Sequence, residues 1–242
     1  MRGVGFVVFL LVFSPLVSKP IPKILFYKTN HKTSHKRKTI PYLIQIEHKD
    51  TTHLNFIKAI VIQELLKYPE KLIQKNVKTF WVCSQIKAGE NNISGTHHKS
   101  SIYLALEDNN DRYSMEKIAQ TIHGELATIL MNKYSSFFLM EEWNALLLSG
   151  LQQSIVINDS MCRQNITLDS LWFEKGFLNE YSSCSIENDF HTIAIRVFNP
   201  EEDFEKTLNR WPILKKKFLL ALNFYRKTNA SFSIPNFQTQ NP

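Results

Sequence analysis

The feature that most constrains this chain is a change of periodicity near Ser114. Before it, short β-type runs alternate with one helical stretch. After it, apolar residues recur three and four apart almost to the end. Residues 40–47 alternate and are rich in β-formers, as a half-buried strand requires. Leu54, Ile57, Ile60, Val61, Leu65 and Leu66 carry a helical stripe across residues 54–73, with Thr51 or Thr52 available as a cap. Residues 77–82 and 101–106 read as strands, and the polar residues 87–99 between them as a loop containing His97 and His98. Ser114 then caps a helix with the stripe Ile118, Ile122, Leu126 and Ile129, which ends near Asn132. Further helices are predicted over 137–148, 187–197 and 201–209, and from Pro212 to Tyr225, with residues 151–184 irregular apart from 168–173. Strand, helix, two strands and then mostly helices make an α+β chain: a small N-terminal sheet with a helical C-terminal half.

Composition removes several classes. Aromatic residues are 12% of the 242, too many for a disordered chain. Only 7 glycines occur, and no glycine-rich phosphate loop of either common type is present. A formal charge of +7 favours anionic surfaces without specifying nucleic acid. Residues 1–18 have the shape of a secretory signal peptide: Arg2, an apolar run over 4–13, then Ser14-Pro15. The expected location is therefore secreted or extracytoplasmic, with no transmembrane segment after cleavage. Residues 19–39 read as a basic, polar arm, in which Lys32, Lys36, Arg37 and Lys38 could meet an anionic surface. Residues 40–227 form the expected domain, and residues 228–242 a flexible tail. Of the three cysteines, Cys162 and Cys184 are the nearest pair for a disulfide; three free thiols, Cys83 included, are the competing reading. Sequons stand at Asn92, Asn158, Asn165 and Asn229.

The string Ile122-His123-Gly124-Glu125-Leu126-Ala127-Thr128-Ile129-Leu130 resembles the core helix of zincin metallopeptidases, where His-Glu-x-x-His lies in an amphipathic helix. Downstream, residues 176–190 resemble a Gly-Phe-Val-x-x-Tyr-Ala-x-x-x-x-x-Glu-Asp-Phe-Ala-Glu block. That block belongs to a gluzincin-like zinc-binding metallopeptidase family known from bacterial secreted proteins and lipoproteins. Its architecture is similar to the catalytic domain of anthrax lethal factor. Glu142-Trp143 resembles a further aromatic point of the family. Ser94-Gly95-Thr96, followed by Ile102-Tyr103-Leu104, resembles its edge-strand region.

The resemblance implies a zincin-like domain with Glu125 as general base and zinc ligands at 124, 128 and 188. Those positions hold Gly124, Thr128 and Asn188, and the closing Glu of the block falls on Thr192. Zinc in this geometry needs two imidazoles four residues apart and a third protein ligand. His123 lies about 100° round the helix from Gly124, so it and His191 are weak substitutes. The expectation is a degenerate member, a pseudoenzyme, with Glu125 vestigial. Glu125 lies about 20° from Ile118 on the helical wheel, which makes it a structural acid tied to backbone or a lysine. No cofactor is expected, and zinc only if non-standard ligands support an active peptidase. The expected function is binding of a peptide or protein partner, with a basic interaction protein as the further alternative.

Overall fold

The computed structural model describes residues 23–26, 31–37, 40–46, 51–83, 85–88, 91–105, 115–146 and 166–232. Among the described residues, eight strands form two four-stranded sheets. The first has the order β1 (Lys23–Phe26), β4 (Thr79–Cys83), β8 (Ser101–Ala105), β7 (Gly95–His98). β1, β4 and β8 run parallel, and β7 closes the edge antiparallel to β8. The second is antiparallel, in the order β2 (His31–Arg37), β3 (Ile40–Ile46), β5 (Gln85–Ala88), β6 (Asn91–Asn92). No helix among the described residues is long and apolar enough to cross a membrane.

The α+β reading holds, with local corrections. The basic stretch read as an arm is strand β2, paired along its whole length with β3. Sheet structure thus begins before residue 40. The helix expected over 54–73 is two helices, α1 (Thr51–Leu65) and α2 (Glu70–Asn76), because Pro69 stands between them with the extended backbone of a helix N-cap. The expected loop 87–99 carries β6, β7 and much of β5. α3 (Met115–Lys133) matches the stripe. The expected helix over 137–148 is a 3-10 turn, Ser135–Phe137, followed by α4 (Met140–Ala145). Short helix α5 (Ser170–Phe173) lies within the excepted residues 168–173, and α6 (Glu180–Ser183) lies where an irregular stretch was expected. Each is begun by a side-chain cap, and Asn179 with Ser182 forms a capping box. α7 (Ile186–Phe198), α8 (Phe204–Arg210) and α9 (Pro212–Thr228) complete the helical half.

The core joins the inner faces of α1, α3, α7 and α9 to the first sheet through Val61, Phe80, Leu126, Phe190 and Phe218. The tail reading fails at Phe232, which is buried and stacks on Tyr225 with a ring separation of 5.0 Å. Cys184 is disulfide-bonded; its expected partner, Cys162, lies outside the described residues, as do the signal peptide, Lys38 and residues 233–242. Cys83 is a buried free thiol, and burial pushes its pKa up to about 12, which keeps it protonated and unreactive.

A polar network pins α1 to α3. His123 is fully buried, with Nε2 2.6 Å from Glu64 Oε2 and Nδ1 2.8 Å from the Tyr68 hydroxyl. Both ring nitrogens are therefore engaged away from Gly124 and Glu125, so His123 is not a substitute ligand. Burial holds its imidazole below the ordinary value of 6.5, against the pull of Glu64. Burial also works to raise the Glu64 carboxyl, but the hydrogen bonds from His123 and Lys67 outweigh it and leave it below 4.5. The two shifts act in one direction. Below pH 6.5 the unfolded chain takes up a proton on residue 123 that the folded chain resists; the Glu64 contribution is lost lower still, as pH falls through its depressed folded value. Stability is expected to fall from pH 6.5 downward, by at most about 1.4 kcal/mol per pH unit for the histidine. Thermal melts of the parent and His123→Gln across pH 7.5 to 5 check this. The parent should lose Tm more steeply, and parallel curves would refute it.

Candidate functional site

Of the residues that the sequence singled out, Gly124, Glu125 and His191 come together where β7 and α7 close on α3. Two glycines make these approaches possible. A Cβ on Gly95 would lie 2.3 Å from Thr121 Cγ2 and 3.0 Å from the Tyr103 carbonyl oxygen. Without one, β7 lies directly on α3 and brings His97 to Glu125, with Nδ1 2.7 Å from Oε2. A Cβ on Gly124 would lie 2.0 Å from His191 Nε2. The bare backbone there lets the His191 ring of α7 occupy the space that a side chain at 124 would fill. The ring also meets Tyr181 edge-on, at 5.7 Å between centroids.

Glu125 is 4% exposed, so its carboxylate needs a partner. The His97 imidazole is one such partner. His97 is the site residue that sequence reasoning missed. Its signal was present, since in a strand Gly95 and His97 share a face, but a loop was expected there.

The three expected ligand positions do not offer zinc a donor set. Gly124 has no side chain, and its space holds His191. The Thr128 hydroxyl turns back on its own helix and donates to the Gly124 carbonyl at 3.2 Å. Asn188 lies in the first turn of α7, its backbone N–H donating to the Ser185 hydroxyl oxygen and its carbonyl accepting from Thr192. Thr192, at the closing-Glu position, is thereby also bonded to its own helix. His191 does reach the α3 surface, but no group of three His, Cys, Asp or Glu that could hold a metal ion occurs among the described residues.

Asp189 and Trp143 have a different task. Trp143 Nε1 donates to Asp189 Oδ2 at 2.8 Å, and Lys217 Nζ donates to the same oxygen at 2.6 Å. Lys217 also donates to the Gly176 carbonyl at 2.6 Å. This network ties α4, α7 and α9 together inside the core. Burial raises the Asp189 carboxyl above its ordinary value and lowers the Lys217 ammonium below its own, each against the attraction of the other.

Beside the closed Glu125, toward the start of α3, a cleft of about 420 Å³ opens. Ser94 at the head of β7, Lys117, Gln120 and Thr121 of α3, and His191 and Arg196 of α7 line it. Arg196 is 2% exposed; its Nη2 donates to the Ile166 carbonyl at 2.8 Å, and its Nη1 lies 2.8 Å from Glu201 Oε1.

No family model matches the chain, and no curated protein matches it. One solved structure is similar: a "putative zinc-binding metallo-peptidase" from Bacteroides caccae ATCC 43185, 13% identical. The match covers 76% of this chain and 80% of that one, with a TM-score of 0.39. The likeness is distant and fixes neither a shared fold nor a shared activity.

Proposed function

We propose that this chain is a degenerate zincin-like protein, acting outside the cytoplasm, that binds a peptide or protein partner without cleaving it. The observation carrying the proposal is the double closure over α3: His97 holds the Glu125 carboxylate, and His191 fills the side-chain space at Gly124. A general base for peptide hydrolysis must reach a metal-activated water, and a catalytic zinc needs several protein ligands to hold that water. Here the base is paired, and the positions that would supply ligands are glycine, threonine and asparagine. The neighbouring cleft offers polar groups of both signs and lies at the head of the edge strand β7, where an extended peptide can add its backbone hydrogen bonds.

The test is a random-sequence peptide library incubated with the purified chain and read by mass spectrometry. Bound peptides should be recovered intact. Gln120→Trp, which fills the cleft, should abolish their retention, and Glu125→Gln should leave it unchanged. Chelator-sensitive cleavage that Glu125→Gln removes would overturn the reading.

A further inference from the structure

The register of the second sheet sorts its basic residues by face. Residues directly opposite one another in a ladder share a face, and successive residues alternate. Lys32 pairs Gln45, which pairs Gln85; Ser34 pairs Leu43, which pairs Lys87; Lys36 pairs Pro41. Lys32, Lys36 and Lys87 therefore occupy one face. Arg37 falls on the other, with Thr33, Ile44 and Ile86. Ile86 is fully buried, so that face is the core side. On the lysine face, Gln85 donates to Asn92 in an exposed hydrogen bond, so that face meets solvent.

The spacing follows from strand geometry. Lys32 and Lys36 are four residues apart, about 13 Å, and Lys87 lies across from their midpoint, two strand spacings or about 10 Å away. The three positions make a nearly equilateral triangle. No Asp or Glu stands on that face among the described residues. Two features select among polyanions. Tyr42 falls on the opposite face, so this one carries no aromatic platform for stacking bases. Arg37 also falls opposite, so among the described residues this face has no arginine for bidentate phosphate or sulfate recognition. What remains is a set of lysine positions around Leu43 and Pro41, point charges about an apolar centre, which suits a diffuse anionic surface.

We propose that the outer face of the β2–β3–β5–β6 sheet docks the protein on an anionic phospholipid bilayer through Lys32, Lys36 and Lys87. The proposal is independent of the cleft and its ligand. Sedimentation of the full chain with phosphatidylserine–phosphatidylcholine vesicles tests it, pure phosphatidylcholine vesicles giving the baseline. Binding should exceed that baseline and weaken steeply with salt. Each Lys→Gln change should weaken it about five-fold, and the triple change roughly 100-fold. Arg37→Gln, on the opposite face, should weaken it by less than about two-fold. A thermal melt confirms that the triple variant folds; if it does not, Lys87→Gln alone supplies the five-fold reading.

Equal binding to both vesicle types would overturn the proposal. So would a triple variant that binds like the parent, or an Arg37→Gln effect as large as the triple. Lysine-dependent binding to a sulfated polysaccharide or duplex DNA without vesicle binding would also overturn it.

Discussion

Lys217→Met is expected to cost about 3–5 kcal/mol, the largest loss from any single change discussed for this chain. The ammonium is fully buried and holds Asp189 Oδ2 and the Gly176 carbonyl together. Its removal leaves a carboxylate at 1% exposure with the indole N–H of Trp143 as its remaining partner on that oxygen. Asp189 Oδ1 has no hydrogen-bond partner among the described residues to compensate. Burial already raises the Asp189 carboxyl, so it will protonate more readily once the cation is gone, which limits the cost. At 2–4 °C per kcal/mol for a domain of this size, Tm should fall by about 6–20 °C. The double variant Asp189→Asn/Lys217→Met should lose less than the sum of its singles, because neither charge is then stranded. Denaturant titration of the four proteins checks both statements. A Lys217→Met protein within about 0.5 kcal/mol of the parent would refute them.

The second large effect is a change of sign at Gly124. Alanine in the middle of a helix is ordinarily better than glycine by about 1 kcal/mol. Here the new Cβ would overlap three atoms of the His191 ring, at 2.0 to 2.6 Å. The ring is 5% exposed and packed against Tyr181, so it cannot yield without losing contacts. Overpacking of this kind costs about 1–3 kcal/mol, so Gly124→Ala should destabilise the parent. In a His191→Ala background the obstruction is absent and helix propensity should decide, making Gly124→Ala stabilising by up to about 1 kcal/mol. If Gly124→Ala has the same sign in both backgrounds, His191 does not fill the space at 124.

Much of the fold was legible because helical periodicity survives wherever a helix has one buried face. α3, α7 and α9 all carry strong stripes and strong boundary signals, Ser185 before α7 and Pro212 at the start of α9. The break between α1 and α2 was also written in the sequence, at Pro69, but a continuous apolar stripe masked it. β2 was harder. His31–Arg37 has a basic and polar composition that propensity assigns to solvent; its strand form depends on pairing with β3. α5 and α6 are four residues each and begin on side-chain caps, so hydrophobic spacing could not reveal them.

The site was legible in part. Gly124, Glu125 and Thr128 could be placed on a buried helix face from sequence alone. The packing of His191 of α7 into the space beside Gly124 could not, because only the helix pairing brings the two together. The strings around Trp143 and Asp189 look like parts of an active-site block, yet they form the cross-link of α4, α7 and α9. Lys217 and Glu64, the buried partners that fix α7 and α3, have no local signal: Lys217 ends the run Lys215-Lys216-Lys217, which reads as a solvated helix face, and neither charge stands out until its long-range partner is known.

The most direct test of the account is the zinc content of the folded chain after equilibrium dialysis against zinc and then against zinc-free buffer. The account predicts substoichiometric metal and no protease activity before or after chelation. One zinc per chain that survives dialysis, leaves with a chelator and takes proteolysis with it would contradict the account.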